Sequence, residues 1–136
     1  SAAALDVARR NGARLGLEVV WHQGEWWSAV GPLHFDLALA NPPYVAPGDP
    51  HVWALRHEPA LALTPRDDAG QGLADIERIA LGAPPHLERG AWLLLEHGAE
   101  QAQAVRSCLQ RLGFAAAKTR ADLAGRARVT GGAYRP

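Results

Sequence analysis

Methionine is missing from the 136 residues, and cysteine, lysine and phenylalanine are nearly so. A natural coding sequence opens on methionine, so Ser1 is expected to be a cut point or a tag remnant on a piece of something longer. The single cysteine, Cys108, excludes an intramolecular disulfide. Its place in a helical pattern predicts a buried, reduced thiol. No charge of either sign predominates: 14 Lys plus Arg balance 14 Asp plus Glu. Nucleic-acid binders carry a basic excess or stripe, so no direct nucleic-acid partner is expected. No apolar run approaches the roughly 20 residues of a membrane span, and no signal peptide is expected ahead of the first element. The expectation is a cytoplasmic protein with no membrane partner. His22, His34, His51, His57, His86 and His97 lack ligand-like spacing, such as two histidines at i and i+4 beside an acid. No metal is expected.

What remains is apolar and alternating. Hydrophobic residues make up 48%, enough for a core in one domain at most. Ala2 to Leu15 has helical spacing, with Leu5, Ala8, Gly12 and Leu15 on one face and a stop at Gly16. Glu18 to His22 reads as a short strand, Gly24 to Trp27 as a loop, and His34 to Ala40 as a central strand. Pro42 to Arg56 is a long irregular loop of the kind that is usually functional or disordered. Asp68 to Gly72 reads as a turn. A helix from Leu73 to Ala83 stops at Pro84-Pro85. Ala91 to Glu96 is an apolar strand and Glu100 to Leu112 a helix, with Ala104, Val105, Cys108 and Leu112 on one face. Phe114 to Arg120 and Arg126 to Tyr134 are two final strands. Strands alternating with helices imply an α/β sheet covered on both faces.

The strand from His34 ends on Asn41-Pro42-Pro43-Tyr44. Each proline fixes φ near −65° and donates no hydrogen bond, and Pro43 keeps Pro42 out of the helical region. The loop is therefore stiff, and the Pro42 carbonyl is not absorbed by a helix. The Asn41 amide oxygen and the Pro42 carbonyl are two fixed acceptors. Together they can hold both hydrogens of a substrate –NH₂ and aim its lone pair, while Tyr44 stacks on a planar group beside it. An isolated Asn-Pro pair is ordinary turn punctuation. The full tetrapeptide after a buried strand is more specific.

It resembles the signature of amino- and amide-directed methyltransferases that use S-adenosylmethionine. Further blocks match in order: Ala8-Arg9-Arg10-Asn11, Gln23-Gly24-Glu25-Trp26, Arg56-His57-Glu58-Pro59, Leu93 to Gly98, and Arg128-Val129-Thr130-Gly131-Gly132. Nearly the whole chain is thus similar to the C-terminal part of the catalytic domain of HemK/PrmC-type methyltransferases. These modify the glutamine of the Gly-Gly-Gln loop in peptide chain release factors. The tetrapeptide alone also fits nucleic-acid base methyltransferases acting on adenine or guanine amino groups. The Glu-His-Gly block and the Arg-Val-Thr-Gly-Gly ending favour the glutamine branch.

The resemblance implies a Rossmann-like, three-layer αβα fold, here a partial catalytic domain over residues 1–136. It implies that Asn41, Pro42, Pro43 and Tyr44 bind the substrate amide, with Asn41, Pro42 and Tyr44 acting in catalysis. It also implies that Glu25, Trp26 and Asn41 lie against S-adenosylmethionine. The family more often has Asp where Glu25 stands, and a solvated loop acid is an equal reading. Arg56 and Glu58 are expected to form an ion pair bracing the loop, and His97 to be a satisfied structural histidine. The family's glycine-rich cofactor loop and its first two strands have no counterpart here. Gly131-Gly132 comes too late in the chain to substitute. Three consequences are expected of the chain as it stands: weak cofactor binding, a catalytically silent fragment, and a homodimer formed by strand pairing or by exchange of Ala2–His22 to satisfy an open sheet edge.

Overall fold

Ser1 starts the first helix by accepting a hydrogen bond on its side chain from the Ala4 N–H at 3.2 Å, a standard N-cap. In the computed structural model, which describes residues 1–46, 48–49, 57–65 and 70–135, helix α1 runs Ala2–Arg14. Gly12 is its one buried residue, and a Cβ there would lie 2.8 Å from the Trp21 ring. The glycine on the apolar face is therefore the seat for an indole. Asp6 and Arg10 pair across one turn at 3.4 Å on the exposed side. The expected strand Glu18–His22 is absent: residues 17–23 have no regular structure and Val20 is 81% exposed. A strand gains its hydrogen bonds only from a neighbour, and α1 is the only other long element of this unit. The expected loop Gly24–Trp27 runs into a 3-10 turn, Trp26–Ala29.

The chain divides into two compact units, Ser1–Leu33 and His34–Pro136. The second holds a four-stranded sheet in the order β1-β2-β4-β3, built from β1 Phe35–Ala40, β2 Leu87–Glu96, β3 Phe114–Ala121 and β4 Ala127–Tyr134. Strands β1 and β2 are parallel, and β4 lies antiparallel between β2 and β3. Parallel neighbours need a crossover. Here it carries the short helix α2, Ala60–Leu63, which the sequence pattern did not suggest, and α3, Ala74–Gly82. Helix α4, Ala102–Arg111, returns the chain from β2 to β3.

Strand β2 alternates strictly at its apolar end: Ala91, Leu93 and Leu95 are buried, and Trp92 and Leu94 turn the other way. The buried set forms a core with Ile76, Ile79 and Ala80 of α3, Val105 and Leu109 of α4, and Phe114. Leu93, Leu95, Ile76 and Leu109 are wholly enclosed, each worth about 1.5–3 kcal/mol of apolar burial. Cys108 lies in this core as expected, and burial pushes its thiol pKa up. On the opposite face Leu37 and Leu39 of β1, in register with Trp92 and Leu94, stay 50% and 69% exposed. Among the described residues of this unit, α3 and α4 pack on the face that carries Leu93 and Leu95.

Two glycines let β4 fit between its neighbours. A Cβ on Gly131 would sit 2.0 Å from a Leu94 methyl, and one on Gly132 would sit 2.9 Å from the Phe114 Cβ. This pair serves strand packing. Strand β2 begins four residues earlier than its apolar pattern, at Leu87, because Leu87 pairs with Phe35 across an irregularity in register. Among the described residues no helix is long and apolar enough to cross a membrane.

Candidate functional site

Strand β1 delivers Asn41 at its C-terminal end, beside the end of β2. Open α/β sheets place ligands at such ends. Asn41 is exposed, Pro42 is fully buried, and Pro43 and Tyr44 are half-buried. The loop is therefore fixed by a proline ring set into the core, while the residue before it faces out. Among the described residues neither the Asn41 side chain nor the Pro42 carbonyl has a hydrogen-bond partner. Both acceptors that the sequence singled out are available.

Tyr44 is held from both ends. Its hydroxyl donates to Glu96 Oε1 at 3.0 Å, and its backbone carbonyl accepts from Gln101 Nε2 at 2.9 Å. Burial, then the bond to Glu96 and the charge of that carboxylate, push the Tyr44 pKa up against the opposing pull of Arg128. The phenol thus stays protonated, a donor with a fixed ring. Beside it lies an open cleft of about 770 Å³, bordered by Tyr44, Asp49, Gln71, Glu100, Arg126 and Arg128. Arg128 reaches toward the His97 carbonyl at 3.4 Å and pairs with Asp122 at 3.5 Å.

Behind the loop, His97 is wholly buried, with both ring nitrogens engaged. Nδ1 lies 2.8 Å from the Gly98 carbonyl and Nε2 lies 2.7 Å from Thr130 Oγ1. Thr130 Oγ1 contacts Thr119 Oγ1 at 2.8 Å, and Thr119 accepts from Arg106 at 2.6 Å. The proton positions follow. A carbonyl only accepts, so Nδ1 carries the hydrogen. Desolvation on burial lowers the His97 pKa, opposed by the bond to the Gly98 carbonyl, so the ring is neutral and Nε2 accepts from Thr130. Thr130 then accepts from Thr119, which accepts from a guanidinium that can only donate. His97 is the satisfied structural histidine expected of it.

Glu25 and Trp26 belong to the first unit and Asn41 to Tyr44 to the second. Glu25 is exposed and stands just before the 3-10 turn. Trp26 has a left-handed backbone, φ 48°, and its indole N–H is buried with no partner among the described residues. A buried donor without an acceptor fits a polar ligand atom at that position. Arg56, the expected partner of Glu58, and His51 lie outside the described residues, and Glu58 is exposed.

No family model matches the chain. Over 135 residues, 97% of its length, it is 47% identical to the release factor glutamine methyltransferase of Xylella fastidiosa strain Temecula1. The protein of that name from Neisseria gonorrhoeae is 44% identical over 138 residues, 98% of this chain. Nearly the whole chain is thus similar to release factor glutamine methyltransferases. It spans about half the length of the relatives it matches, 48% and 50% of these two. A solved protein-(glutamine-N5) methyltransferase, release factor-specific, from Alicyclobacillus acidocaldarius aligns with 55% of this chain and 47% of its own, at 30% identity and a TM-score of 0.41. The similarity to these methyltransferases and the parallel β1-β2 pair joined through α3 agree with the expected α/β, Rossmann-like fold.

The structure adds residues that the sequence did not single out individually. Glu96 and Arg128 stood inside blocks that carried the resemblance, so their neighbourhood was marked while their roles were not. Gln101 had no signal. Three residues after Gly98 at a helix start, it reads as an ordinary capping glutamine.

Proposed function

We propose that the full-length protein transfers a methyl group from S-adenosylmethionine to the side-chain amide nitrogen of the glutamine in the Gly-Gly-Gln loop of peptide chain release factors, in the cytoplasm. In this reading residues 1–136 are part of its catalytic domain. The observation that supports it most is the stiff Asn41–Tyr44 loop at the C-terminal end of a parallel strand, with the Asn41 amide oxygen and the Pro42 carbonyl both unengaged among the described residues. When bound, S-adenosylmethionine supplies a methyl group already activated on a sulfonium.

The chain's own residues then have an orienting task. An amide nitrogen is a poor nucleophile because its lone pair is delocalised. Two acceptors fixed on its hydrogens hold it in line for attack, which is proximity catalysis. Those hydrogens become more positive as the nitrogen reacts, so the same contacts strengthen in the transition state. Tyr44, its ring fixed through Glu96, stacks on the amide plane. On the first unit, Glu25 and the Trp26 indole, whose N–H has no partner among the described residues, are the cofactor contacts of this reading; on the second, Asn41 is one.

The chain on its own is a different object. Among the described residues β1 pairs with β2 alone and exposes Leu37 and Leu39. We infer that, in isolation, it pairs this edge with a second copy or exchanges Ala2–His22.

The test is methyl transfer by the full-length protein to a purified release factor, read by mass spectrometry of the Gly-Gly-Gln peptide. The wild type is expected to methylate that glutamine. Asn41→Ala should cut turnover by about 10²–10³, the usual cost of one preorganised contact. A wild type that leaves the peptide unmodified, or an Asn41→Ala variant near normal turnover, overturns this reading.

A further inference from the structure

The side-chain amide of Gln101 is fully used. Nε2 donates to the Tyr44 carbonyl at 2.9 Å and to the Gln71 carbonyl at 2.7 Å, and Oε1 accepts from the Gly98 N–H at 2.8 Å. One planar group therefore ties together three segments: the end of the Asn41–Tyr44 loop, the turn before α3, and the turn that starts α4. The two carbonyls stand in front of the only two hydrogens that Nε2 has. Gly72 completes the fit. Its φ is +68°, and a Cβ there would lie 2.1 Å from the Tyr44 carbonyl oxygen and 2.7 Å from Gln101 Nε2. Any side chain at position 72 would evict the amide from its place. The anchor is itself rigid, because Gln101 leads directly into α4, whose Val105, Cys108 and Leu109 are buried in the core.

We propose that Gln101 is a positioning residue for catalysis: it locks the outgoing end of the Asn41–Tyr44 loop, so that the two acceptors on that loop stay aimed at the substrate amide. The proposal rests on the reading of that loop as the amide site. Pro42, set in the core, holds one end of the tetrapeptide, and Gln101 holds the other. Glu96 fixes the ring but leaves the backbone free, so the carbonyl clamp carries the register of the loop. A misplacement of about 1 Å in a positioned group costs on the order of 10² in rate.

A purely structural role is also open to Gln101, because its Oε1 caps the Gly98 N–H at the start of the turn. Gln101→Glu separates the two. A carboxylate still accepts from the Gly98 N–H but has no hydrogen for the Tyr44 and Gln71 carbonyls. Gln101→Ala loses both functions. In the full-length protein, Gln101→Glu should keep the Gly98 amide as protected from hydrogen exchange as in wild type. The Val45 amide, bonded to the Leu63 carbonyl at 2.9 Å, should exchange several-fold faster. With a release factor as substrate, kcat should fall about ten- to a hundredfold, while KM for S-adenosylmethionine stays within about twofold. Unchanged Val45 exchange, or a kcat loss seen in Gln101→Ala but not in Gln101→Glu, overturns the proposal. If wild type transfers no methyl group, the reading of the loop fails, and the exchange arm still decides whether Gln101 clamps it.

Discussion

Thr130→Val cuts the hydrogen-bond chain behind the site at its centre. Thr130 is completely buried, and its hydroxyl both accepts from Thr119 and donates to His97 Nε2. Valine has nearly the same shape, so no cavity opens and the cost is almost wholly polar. His97 Nε2 is left as a buried acceptor with no donor, a loss of about 1–3 kcal/mol. Thr119 is half-exposed and recovers its bond from water, so it adds little. A net loss of about 2 kcal/mol is expected. With a urea slope of about 1–2 kcal/mol per M, typical of small domains, the midpoint should fall by about 1–2 M. Urea unfolding of the full-length protein, followed by far-UV circular dichroism, gives that midpoint. Thr130→Ser keeps the hydroxyl and loses one methyl group, and should cost no more than about 1 kcal/mol. A Thr130→Val midpoint equal to that of wild type would refute the donor assignment and the neutral tautomer of His97 that it implies.

Three further outcomes are expected. Tyr44→Phe keeps the stacking ring but loses the bond to Glu96, so turnover of the full-length protein should fall several-fold and that of Tyr44→Ala much further; equal, large losses in both would refute the stacking assignment. Because the folded-state pKa of His97 is depressed below the usual 6.5, the unfolded chain binds the extra proton first, so stability is fully present above pH 6.5 and is lost as pH falls from there toward the folded pKa. Urea midpoints measured from pH 7 to pH 5 should fall more steeply for wild type than for His97→Gln, and parallel slopes would exclude His97 as the cause. The isolated 136-residue chain should scatter light as a dimer or larger and show weak or no calorimetric binding of S-adenosylmethionine; a monomer that binds the cofactor tightly would falsify the open-edge argument.

Periodicity located the elements that bury their own apolar faces. Helix α1, β1, α3 and the apolar half of β2 were legible because Leu93 and Leu95 point into the core while Trp92 does not. The Glu18–His22 strand failed for a non-local reason: its composition suits a strand, but strand formation is decided by a neighbour that its unit does not contain. The start of β2 was hidden by Glu88-Arg89-Gly90, which has turn composition and is recruited by Phe35 pairing with Leu87. Asn41 to Tyr44 could be read as a stiff loop because prolines fix a backbone from local chemistry alone. Gln101 could not, because its meaning lies in two carbonyls 57 and 30 residues away.

The hydrogen-bond chain from Arg106 to the Gly98 carbonyl also has a polarity. A proton wire must be able to reverse each hydroxyl after a transfer. This one is pinned at one end by a guanidinium that never deprotonates and at the other by a carbonyl that only accepts. It behaves as an insulator: it orients the turn carrying Gly98 and gives protons no path through the sheet. Tyr44, whose raised pKa keeps it protonated, takes none either. In the proposed reaction, a proton shed from a nitrogen held at Asn41 would find neither relay open to it.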